Sequence, residues 1–125
     1  MSNRTRLSVA LLWIAALGLL AIAVLHGMGM ASVGAALDRA DLQPFVVGAF
    51  RAVWLGFSAT ALLLAVLFAM AAVRRDAVGR AALGLLALVP IASALLVYLF
   101  VGPFIGAHLM LAVGAAGIAG ALLRD

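Results

Sequence analysis

The chain is predicted to be an all-α integral membrane protein, an antiparallel four-transmembrane-helix bundle with both termini in the cytoplasm. Three observations predict it. Four apolar stretches fill most of the 125 residues, the charges lie almost wholly in the gaps between them, and arginine is concentrated on alternate gaps. With 69% hydrophobic residues and a mean hydropathy of +1.35, the helices have no polar face for water. A β-barrel would need segments of ~10 residues alternating apolar and polar. Here the runs are continuous and twice that length, rich in Ala, Leu and Gly.

Span 1 is predicted over Leu7–Met30, span 2 over Phe45–Val73, span 3 over Ala81–Val101 and span 4 over Phe104–Leu123. Each meets the ~20 residues that a helix rising ~1.5 Å per residue needs to cross a bilayer. Arg4 and Arg6 before span 1 resemble the start of a secretory signal. The apolar run that follows exceeds the ~7–15 residues of a signal core, so span 1 reads as retained. Ala31–Gln43 is then the longest connection, with a short surface helix expected over Ala31–Arg39. Asp41 is the expected N-cap of helix 2, and Pro44 suits its first turn. Pro90 lies mid-span in helix 3, removes the bond to the Leu86 carbonyl and predicts a kink. Gly102-Pro103 is so short a turn that spans 3 and 4 must form a helical hairpin. The four spans make one domain, 1–125, with no internal repeat.

Orientation follows from the charges. Arg4, Arg6, Arg74, Arg75, Arg80 and Arg124 fall on one side if the spans alternate, against Arg39 with Asp38 and Asp41 on the other. The positive-inside rule places the first group in the cytoplasm. All eight basic residues are Arg and all four acids are Asp, a bias that with the Ala, Gly and Val content points to a GC-rich bacterial genome and a bacterial inner membrane. The net charge of +4 is explained by headgroup contact at span ends, not by nucleic acid. With no Cys, disulfides and thiolate chemistry are excluded.

Span 4 carries two small-residue strips. His108, Ala112, Ala115 and Ala119 lie on one face, and Gly114, Gly117 and Gly120 mark another. Small residues let helices approach closely in lipid, so one strip is expected inside the bundle and the other against a second copy or a larger membrane complex. The alanines beside His108 place it on the inward face.

Polar groups within the spans are few and sit near the outer ends: His26, Arg51, Tyr98 and His108, one per helix. Arg51 shares a face with Trp54 and Ser58 at i+3 and i+7. An ionised group in a span points to function or to a partner such as Asp38 or Asp41. The principal reading is an outer-leaflet pocket, formed by Arg51, His26, His108, Trp54, Tyr98 and Ser58, for a small anionic or amphiphilic ligand. A second reading uses His26 and His108 as axial ligands of haem b, or in a quinone-associated electron-transfer subunit, with Arg51 beside a propionate. A third is a non-catalytic accessory subunit of a larger complex. With no acid inside a span, a carboxylate proton relay is not expected. Ser58 and Ser32 have no base beside them in sequence, so catalysis by side chains is not expected. Met28 and Met30 point to different sides of a helix and make a poor copper site.

Overall fold

The structure, a computed structural model, describes residues 2–124. Four helices, each long and apolar enough to cross a membrane, make up nearly all of it: α1 (Asn3–Arg39), α2 (Pro44–Val73), α3 (Arg80–Phe100) and α4 (Ile105–Leu122). The outward side chains are apolar, among them Leu25, Val53, Leu63 and Leu85, a surface consistent with bilayer contact.

Local signals explain the helix ends. The Ser2 hydroxyl accepts the Thr5 N–H at 3.2 Å and caps α1. Pro44 occupies the first turn of α2, where its missing N–H costs nothing. The expected cap, Asp41, does not take that role; Gln43 occupies the N-cap position and makes no side-chain cap bond. Helix α1 is also longer than span 1. Residues Ala31–Arg39 continue it without a break, and the connection shrinks to 40–43. Glycines at 27, 29 and 34 weaken a helix by about 1 kcal/mol each. Packing against α2 offsets that: Gly29 faces the Trp54 ring, and Asp38 pairs with Arg51. Pro90 lies buried inside α3 without ending it. Gly102, in the turn to α4, has φ +100°, a left-handed conformation that glycine adopts without a Cβ penalty.

Helix α1 packs against both α2 and α4, and α3 packs against α4, while α2 and α3 barely touch. Leu12, Leu19, Phe68 and Leu83 are the largest apolar side chains fully enclosed by these contacts. The glycine strip of α4 is what the bundle closes on. Gly114 abuts Ala87 and Ile91 of α3, Gly117 takes the Phe68 ring of α2, and Gly120 takes Leu12 of α1. The other strip faces outward, with His108, Ala112 and Ala115 exposed. The inward placement of His108 is therefore corrected. Three neighbours press on α4 from the glycine side, where a missing Cβ admits them most closely.

A polar network ties one end of the bundle. The buried Ser8 hydroxyl donates to the Gly120 carbonyl at 2.7 Å, and Arg4 donates to the Leu122 carbonyl at 3.4 Å. Arg124, only 5% exposed, donates to the carbonyls of Val78, at 2.7 Å, and Arg75 in the α2–α3 connection. Burial and then the Arg75 charge push the Arg124 guanidinium below its usual pKa, with Asp76 opposing them.

Candidate functional site

At the opposite end the later part of α1 meets the starts of α2 and α4 around a cavity. Gly27 and Gly29 let α2 come close to α1: a Cβ at Gly27 would meet the Ser58 hydroxyl at 3.7 Å, and one at Gly29 would meet the Trp54 ring at 3.3 Å. That approach builds a layered wall. The His26 imidazole stacks on the Trp54 indole with centroids 4.1 Å apart and planes 18° from parallel. Phe57 tilts against the same imidazole at 4.7 Å. The indole N–H donates to the His26 backbone carbonyl at 2.8 Å, and His26 Nδ1 shares a hydrogen bond with the Ser58 hydroxyl at 3.0 Å. Ring orientation is thus held by one hydrogen bond and two aromatic neighbours. With Nδ1 on Ser58, Nε2 is the ring nitrogen without a hydrogen-bond partner among the described residues.

This wall borders a cavity of about 300 Å³. Leu25, His26, Trp54 and Phe57 form the α1/α2 side, and Phe104, Ile105, Gly106 and Leu109 form the α4 side. Ile22, Phe57 and Met110 also border a gap of about 10 Å³ shared with Thr60, Val89 and Ser93, too small for more than about one water. Leu25 and Ile105 are 64% and 80% exposed, so the cavity opens through an apolar rim on the outside of the bundle. The volume sits at the low end of small-ligand pockets, roughly 300–1,000 Å³, and the lining is of their usual kind, mostly apolar with few polar groups.

The residues singled out from sequence separate into three groups. His26, Trp54 and Ser58 come together, with His26 and Trp54 on the cavity and Ser58 behind the imidazole. Tyr98 and His108 form a second pair, the phenol hydrogen-bonded to His108 Nδ1. Their rings lie 5.6 Å apart, and neither residue lines the cavity. Arg51 forms the third, its guanidinium 2.5 Å from the Asp38 carboxylate and also off the cavity lining. The two histidines therefore have different partners, and only His26 lines the cavity.

Ser58 does have a base beside it, which sequence spacing could not reveal because 32 residues separate it from His26. Ser58 does not line the cavity, and among the described residues no third group hydrogen-bonds the imidazole at Nε2. The Ser58 hydroxyl orients the ring from Nδ1. Sequence reasoning passed over Phe57, Phe104, Leu25 and Leu109, which carry no polar signal. Among the described residues no three His, Asp, Glu or Cys side chains gather as a metal site.

These features define a four-helix bundle of membrane-spanning type with one aromatic-walled cavity beside a half-buried histidine. No protein-family model, curated protein or solved structure matches the chain.

Proposed function

We propose that this protein binds a membrane amphiphile in the cavity between α1, α2 and α4, with the ligand's polar end against His26. The spans run antiparallel in a bacterial inner membrane with both termini in the cytoplasm, which puts the cavity in the outer leaflet. The observation that carries this reading is the pairing of an apolar cavity with an exposed apolar rim and one oriented imidazole. A ligand reaching such a site from the bilayer keeps its apolar part in hydrocarbon throughout and meets one polar group at the end of its path. An uncharged head suits the site better than an anion. Arg51 is neutralised by Asp38 and stands off the lining, so no free cation faces the cavity. Binding, not catalysis, is the activity in this proposal.

Native mass spectrometry of the protein extracted from its membrane tests it. Wild type and Arg51→Gln should retain a bound amphiphile, whereas Leu109→Trp, which fills the cavity from its α4 side, should release it. Absence of any retained molecule in wild type, or equal retention in Leu109→Trp, refutes the proposal.

A further inference from the structure

Two features of the cavity restrict its ligand more than its volume does. The first is the aromatic share of its lining. On one side the His26–Trp54 stack and Phe57 present aromatic surface, and on the other the Phe104 ring lies over the first turn of α4. The second is Gly106. A Cβ there would come within 2.7 Å of the Phe104 Cζ, well inside contact distance, so the ring can lie over this turn only because residue 106 has no side chain. Aromatic residues on both sides favour a ring-bearing ligand, since aromatic rings gain from stacked or edge contacts beyond the area they bury. His26 lines the same space, its imidazole held by Ser58 through Nδ1 and its Nε2 without a hydrogen-bond partner among the described residues.

Resting on the amphiphile reading above, we infer that the ligand's head is a flat, uncharged ring bearing a hydrogen-bonding oxygen, the chemistry of a quinone, with its single chain leaving past Leu25 and Ile105 into the bilayer. The ring sits between Phe104 and the α1/α2 wall, and its oxygen meets His26 Nε2. A phosphate head would meet no cation on the lining, and a sugar would find one polar side chain, His26, for its several hydroxyls. No electron transfer is required; the inference concerns recognition.

Trp54 itself reports on occupancy, because quinones quench indole fluorescence on contact. The protein carries two tryptophans, so the test is run in a Trp13→Phe background, in phosphatidylcholine nanodiscs, with decyl-substituted para-benzoquinone as probe and concentrations expressed as mole fraction in the bilayer. Quenching should saturate. His26→Phe, which keeps a ring in the stack but removes Nε2, should weaken it about tenfold, the equivalent of one hydrogen bond. Phe104→Leu and Gly106→Ala should weaken it several-fold, the second by pushing the Phe104 ring aside. Decanol, with the same chain and no ring, should not displace the probe. If decanol displaces it with equal potency, or if Phe104→Leu and Gly106→Ala bind as wild type does, the ring-head inference falls while the amphiphile cavity stands. Quenching that never saturates overturns both.

Discussion

Replacing Gly114 by alanine probes the contact on which α3 and α4 close. A Cβ at that position would lie 2.9 Å from the Ala87 backbone carbonyl and would also strike the Ile91 side chain. Ile91 can turn to another rotamer, but the carbonyl belongs to the α3 backbone, so α3 must move away from α4. Overpacking of this kind costs about 1–3 kcal/mol. Against it stands the gain of about 1 kcal/mol from replacing a mid-helix glycine with alanine. A matched control isolates the clash: Gly56→Ala makes the same chemical change in α2 where nothing lies within 4 Å. Gly56→Ala should therefore stabilise the protein slightly. Gly114→Ala should be less stable than that control by about 1–3 kcal/mol in equilibrium unfolding with SDS in mixed micelles. Adding Ile91→Ala to Gly114→Ala should recover part of the loss but not all, because the carbonyl contact remains. Equal stability of the Gly114→Ala and Gly56→Ala proteins would refute close α3–α4 packing through the glycine strip.

Ser8→Ala leaves the Gly120 carbonyl without its 2.7 Å partner and should cost about 1–3 kcal/mol in the same assay. Arg124→Gln should loosen the α2–α3 connection, whose Arg75 and Val78 carbonyls it holds, and raise trypsin cleavage at Arg74 and Arg75 several-fold with little change in helix content by circular dichroism. Arg51→Gln removes an ion pair whose partners are 43% and 64% exposed, so it should cost less than about 1 kcal/mol in the unfolding assay. A larger loss would show that the pair fixes the α1–α2 geometry.

The polar members of the site were visible in the sequence because an imidazole or guanidinium in an apolar run stands out. Their grouping was not. Run lengths place His26, Arg51, Tyr98 and His108 near the same ends of four spans, which suggested one pocket; yet helix rotation decides which of them face each other, and rotation is set by packing. Gly27 and Gly29 turn His26 toward Ser58 and Trp54, while the glycine face of α4 turns His108 away from the bundle toward Tyr98. Arg51 met Asp38 because α1 runs on to Arg39, carrying that carboxylate on the helix and not in a loose loop.

Four helices able to span a bilayer were legible from composition and run length alone, since hydrocarbon tolerates few other arrangements of so apolar a chain. Which strip of α4 lies inside could not be read from the same letters. Alanine and glycine strips are both small and apolar, and lipid supplies no hydrophobic drive to choose between them. The choice was made by shape, where Phe68, Ile91 and Leu12 fit against missing Cβ atoms. The cavity arose in the same way, from aromatic side chains of α1, α2 and the N-cap of α4 that no local pattern links.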